Sequence, residues 1–147
     1  MQIEIYNMTV LNDKLNISLE AVCDSFSSLL WDIEYYKCGE FEVYIAASSR
    51  NIEIFQTGRI VGRDDDKDHF GLIESIELET DSEDGDYLII KGRFLMCLLE
   101  RRIIYPTLNF TSQTSYGAIV QKAVESNALT SGNRLIPGLK LGEIQGA

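Results

Sequence analysis

The chain has 147 residues, 45% of them hydrophobic, with a formal net charge of −10 and a pI near 4.5. That length suits a single domain with a real core, and the apolar content excludes global disorder. The acidic balance argues against nucleic acid and against an anionic membrane surface as partners, since both need a basic footprint.

The first residues, MQIEIYNMTV, alternate and carry an acid. They read as a strand over residues 2–8, not as the apolar stretch of a signal peptide, and no membrane span is expected. Asn12-Asp13-Lys14 reads as a turn. Leu15, Ile17, Leu19 and Ala21 then alternate with polar residues in a second strand. Cys23, Cys38 and Cys97 show no CxxC spacing, which fits folding in a reducing compartment.

Trp31, Ile33 and Tyr35 alternate with Asp32, Glu34 and Tyr36, and Phe41, Val43 and Ile45 alternate with Glu40, Glu42 and Tyr44. A three-residue loop, Lys37-Cys38-Gly39, would set Tyr35 against Phe41, Ile33 against Val43 and Trp31 against Ile45. The wet face would then set Glu34 against Glu42, a repulsive pair that a neighbour's cation would relieve. Glu34, Tyr36, Glu42 and Tyr44 thereby become candidates for a protein interface, as tyrosine is enriched in such surfaces.

Ser48 to Thr57 suggests a short strand around Ile52 and Ile54, and Arg59 to Arg63 another. Asp64 to Asp68 reads as an acidic loop, with His69 solvated beside it. The stretch GLIESIELETDSEDGDYLIIKGR, residues 71–93, carries the clearest strand signal. A loop of Glu83-Asp84-Gly85 would set Leu78 against Ile90, Ile76 against Gly92 and Glu77 against Lys91, with Gly85 at positive φ. Beyond it, Phe94, Leu95, Leu98 and Leu99 fit helical spacing, with Arg101 and Arg102 at the C-terminal end. A second helix is predicted from about Ser115 to Ala128, capped by Thr114 or Ser112.

The expected fold is mainly β (α+β): an antiparallel barrel or sandwich with two flanking helices toward the C-terminus. It is one domain, with a β-core over about 1–93, a helical flank over about 94–130 and an extended tail over 131–147. Catalytic chemistry finds little to use. His69 is the sole histidine, and it has no GxSxG elbow to serve. The acidic stretches 64–68 and 81–86 offer oxygen ligands, but neither matches an EF-hand loop. No catalytic, cofactor or metal residue is therefore expected. The alternative reading is a soluble acidic binding module that uses those two loops for calcium or a basic protein.

Several segments in order carry a resemblance: Leu29-Leu30-Trp31, Tyr35-Tyr36, Gly39 through Ile45, Gly71-Leu72-Ile73-Glu74, Lys91-Gly92-Arg93, Leu98 through Ile104, the helix near Tyr116 to Ala128, and Arg134-Leu135-Ile136-Pro137. The chain resembles the N-terminal part of tail proteins from siphophages and prophages of Gram-positive bacteria. Those are similar to the tail-hub proteins that close the end of the tail tube. The resemblance implies a β-barrel with a helical flank, a place in the virion tail, and contacts with other tail proteins. It also implies assembly of identical copies into a ring, most simply a trimer, with no enzymatic role. Such proteins are usually much longer, so the chain is expected to be an N-terminal fragment or a short relative. Arg101 and Arg102 join Glu34, Tyr36, Glu42 and Tyr44 as candidate contact residues.

Overall fold

The computed structural model describes residues 1–81, 85–105, 107–130 and 132–142. Seven strands form one antiparallel sheet: β1 (Ile3–Leu11), β2 (Lys14–Cys23), β3 (Ser28–Asp32), β4 (Glu40–Ala46), β5 (Ile60–Arg63), β6 (Asp66–Asp81) and β7 (Gly85–Phe94). Their order is β2-β1-β5-β6-β7-β4-β3. The chain divides into two compact units, Met1–Thr9 with Asn16–Cys97, and Val10–Leu15 with Leu98–Ala147.

The mainly β expectation holds, but the sheet is not closed into a barrel. Its two end strands, β2 and β3, do not pair with each other. Alternation sets which face is buried and is silent on closure. Ile3 and Ile5 of β1, Val61 of β5, Ile73 of β6, Leu88 and Ile90 of β7, and Phe41, Val43 and Ile45 of β4 share one buried cluster. Cys23 and Phe55 complete it, with Trp31 and Leu29 of β3 packed against it.

Each turn follows from its residues. Asn12 and Asp13 both have positive φ, 50° and 61°, the pair of left-handed positions that joins β1 to β2 in a two-residue turn. The stretch read as a strand near Ile52 is instead a helix, α1 (Ser49–Ile54). Ser48 caps it, its Oγ accepting the Asn51 N–H at 3.1 Å. Asn51 Nδ2 donates to the Ala46 carbonyl at 2.8 Å. The cap reverses the chain so that Ile54 and Phe55 turn onto the core.

Both predicted hairpins form, but each has slipped by an even number of residues. Leu78 lies opposite Leu88, Ile76 opposite Ile90 and Glu77 opposite Ile89, where Ile90, Gly92 and Lys91 were expected. Gly85 has φ +90° as predicted and stands opposite Asp81; the other two residues of the predicted loop, Glu83 and Asp84, lie outside the described residues. In the other hairpin Trp31 lies opposite Phe41 and Leu29 opposite Val43, so Ile33 to Gly39 becomes a longer loop. An even slip leaves every side chain on its original face, so alternation by itself cannot choose among such registers. Aromatic packing chooses for β3 and β4: the Trp31 ring lies edge-on to Phe94, centroids 4.8 Å apart, and tilted on Phe41 at 5.8 Å.

The helix predicted after Gly92 shrinks to one turn, α2 (Cys97–Glu100), because Phe94 still belongs to β7. The longer helix is α3 (Tyr116–Val124), continued by a π-helical turn over Glu125–Leu129. Ser115, rather than Thr114 or Ser112, caps it, its Oγ accepting the Ala118 N–H at 3.3 Å. Buried Asn127 ties the second unit together. Its Nδ2 donates to the Ala123 carbonyl at 2.8 Å, and its Oδ1 accepts from the Tyr105 N–H at 3.2 Å and from Arg134 at 2.7 Å.

Candidate protein-contact face

The outward face of β4, β7 and β6 gathers most of the polar chemistry of the sheet. Glu42 stands opposite Lys91, and Tyr44 opposite Ile89. Lys91 lies 3.2 Å from Glu77 and 3.7 Å from Glu42, so one ammonium bridges two strands. The Glu77 carboxylate beside it holds Lys91 above its ordinary range. Next along β7, Arg93 grips both oxygens of Glu74 at 2.9 Å. Glu74 is the extra residue of a bulge, because the register steps between Ile73 and Ser75. The bulge re-aims its carboxylate onto the guanidinium. Leu30, Glu40, Glu42, Glu74, Lys91 and Arg93 border a hollow of about 280 Å3.

At the other end of this face Tyr44 donates its hydroxyl to Glu79 at 2.8 Å, and its ring lies 5.4 Å from Tyr87. The result is an aromatic pair flanked by carboxylates, with Lys91 and Arg93 as counter-charges among the described residues.

Of the residues expected at an interface, Glu42 and Tyr44 lie together on this face. Glu34 does not stand opposite Glu42, because the slip places Leu30 there. Glu34 sits in the loop after β3 and pairs with Lys37 at 3.2 Å. Tyr36 is in the same loop, 92% exposed, edge-on to Tyr35. Arg101 and Arg102 belong to the second unit. Arg102 donates to the carbonyls of Arg134 at 2.9 Å and Leu135 at 3.3 Å, which makes it a brace for the tail segment. Tyr87, Arg93 and the Glu74 bulge escaped the sequence reading. A bulge has no signature in a single sequence.

A second cluster surrounds the start of β6. The run read as a loop becomes strand from Asp66 onward. Asp66 accepts from Trp31 Nε1 at 3.1 Å, from the N–H groups of Asp68 and His69, and from His69 Nδ1 at 2.9 Å. Burial pushes this carboxyl up. The His69 ring, the Asp68 N–H, the Trp31 N–H and the His69 N–H outweigh it and hold Asp66 at about 2. His69 is thus half-buried, 5.6 Å from the Phe94 ring, and not solvated as expected. Asp65 chelates Arg63, and Asp64 accepts the Gln2 N–H at 2.7 Å. Among the described residues no group of three or more His, Cys, Asp or Glu is placed to hold a metal ion. None of the described helices is long and apolar enough to cross a membrane.

The family described as Siphovirus ReqiPepy6 Gp37-like protein matches residues 3–146. The chain belongs to that family. Membership makes it a siphovirus-type protein, in agreement with the resemblance to siphophage proteins, and points to a structural component of the virion. No curated protein and no solved structure matches the chain.

Proposed function

We propose that the chain is a non-enzymatic structural component of a siphophage tail tip or hub, assembling with copies of itself and with neighbouring tail proteins. The face around Tyr44, Tyr87, Glu42 and Glu79 is the observation that carries this reading. Paired tyrosines ringed by carboxylates form a rigid, amphipathic surface suited to a partner bearing arginine or lysine. A ring of identical copies, most simply a trimer, would use such a face heterologously against a basic surface of the next copy. The siphovirus family supports a place in the virion.

Immunogold labelling of purified virions with antibodies raised against this chain tests the location. Gold at the tail end is expected. Virions that carry none of the chain would sink the structural reading, and label along the head would sink the tail-tip reading.

A further inference from the structure

We propose that β2 is a self-pairing edge: two copies of this chain join antiparallel over Lys14–Glu20, about a two-fold axis through Ile17. β2 is an end strand with one neighbour, β1. It is ten residues long, whereas the opposite end strand, β3, has five. Residues 16–20 are all exposed, Ile17 at 48% and Leu19 at 56%. A long open edge bearing apolar side chains and no proline is a template for another strand. Among the described residues, no main-chain hydrogen bond outside the sheet ladder with β1 lands on Lys14–Glu20.

The order of residues identifies the partner. KLNISLE reads alike in both directions by chemical class. Antiparallel pairing about Ile17 sets Ile17 against Ile17, Leu15 against Leu19, Asn16 against Ser18, and Lys14 against Glu20. Apolar meets apolar, polar meets polar, and each end closes with an opposite-charge pair, made twice by the symmetry. A slip of one residue to either side puts unlike side chains opposite each other.

The backbone agrees with this pairing. The two-residue turn at Asn12-Asp13 makes Leu11 and Lys14 a hydrogen-bonded pair, so the N–H and C=O groups of Leu15, Ile17 and Leu19 point to the open side. Those residues are the ones the two-fold register requires to bond. Ile17 lines an apolar hollow with Tyr6, Ile60 and Phe70, while Glu20 reaches Arg59 on the opposite face. The strand therefore alternates regularly between Ile17 and Glu20. At 3.7 Å, and with the Glu20 side chain 41% exposed, the Arg59 contact leaves that carboxylate open to a second cation. The pairing joins copies two at a time and does not depend on the tail-hub reading.

The test is analytical ultracentrifugation of the full chain over a wide concentration range. A monomer–dimer equilibrium is expected. Lys14→Glu and Glu20→Lys should each weaken the dimer about tenfold, because each turns two attractive pairs into repulsive ones. Mixing the two variants in equal amounts should restore a heterodimer of near wild-type affinity, since every Lys14–Glu20 pair is then re-formed with reversed or native charge. In a Cys38→Ser background, Ile17→Cys should oxidise to a dimer linked through position 17. A wild type that stays monomeric at every concentration overturns the proposal. So does a mixture no tighter than either single variant.

Discussion

Trp31 donates its indole N–H to Asp66 at 3.1 Å and so fastens the end strand β3 to the start of β6, 35 residues away in sequence. The same carboxylate holds His69, and Arg63 lies 5.5 Å over the Trp31 ring. Removing Asp66 would leave the half-buried donors of Trp31 and His69 without their acceptor. Asp66→Ala should cost on the order of 1–3 kcal/mol of stability, read by denaturant unfolding with tryptophan fluorescence. An unchanged midpoint would show that water replaces the carboxylate without loss.

The same group sets an acid limit. Its carboxyl sits at about 2 in the folded chain, against about 3.9 for an unfolded aspartate. A depressed value means that the stabilisation is complete above about 4 and is lost as the pH falls toward 2. Unfolding midpoints measured across that window should fall less steeply for Asp66→Asn than for the wild type. Parallel curves would remove Asp66 as a source of acid lability.

Tyr6 behaves oppositely. Its hydroxyl donates to Glu4 at 2.6 Å. That hydrogen bond, then burial, then the charge of Glu4 push the phenol up to about 12. A raised value means that the contribution is present in full below about 10 and is lost as the pH climbs through 12. A phenolate absorbance titration should show a late step, near 12, that Tyr6→Phe abolishes. A late step that survives Tyr6→Phe belongs to another tyrosine.

Two glycines separate conformational strain from crowding. Gly85 has φ +90° with nothing among the described residues within 4 Å of a would-be Cβ, so Gly85→Val should cost on the order of 1–3 kcal/mol through backbone strain, and Gly85→Asn much less. Gly92 faces the core, where a Cβ would overlap the Leu72 carbonyl oxygen and stand 2.7 Å from Phe41. Gly92→Ala should cost at least about 1–3 kcal/mol, with no relief from Asn. Thermal unfolding of the four variants decides between these orders. Equal losses at Gly85→Val and Gly85→Asn would refute the strain account.

The contact face gives a contrast of another kind. Glu42 and Lys91 are both well exposed, so their pairing adds little to folding. Glu42→Ala with Tyr44→Phe, which keeps the ring against Tyr87, should change stability by less than about 1 kcal/mol. The double variant should instead weaken capture of neighbouring tail proteins in pull-downs. A large drop in melting temperature with intact capture would mark the face as structural only.

Alternation in the sequence determined β1, β2, β4 and β7, the buried face of β4 and β7, and the placement of Glu42 and Tyr44 on the wet side, because a period of two is a local property of the chain. The acidic balance and the positive φ of Gly85 were equally legible, as were the N-terminal hairpin turn and the helix near Tyr116. Register was not legible, since slips of two or four residues preserve every face; for β3 against β4 the packing of Trp31 on Phe41 and Phe94 separates them. Nor was the Glu74 bulge, whose energy lies in a fork onto Arg93 from the neighbouring strand. Ile52 and Ile54 follow a strand-like period over too few residues to outweigh the Ser48 cap. Whether the sheet closes depends on its two end strands meeting in space, a long-range event that no run of residues records.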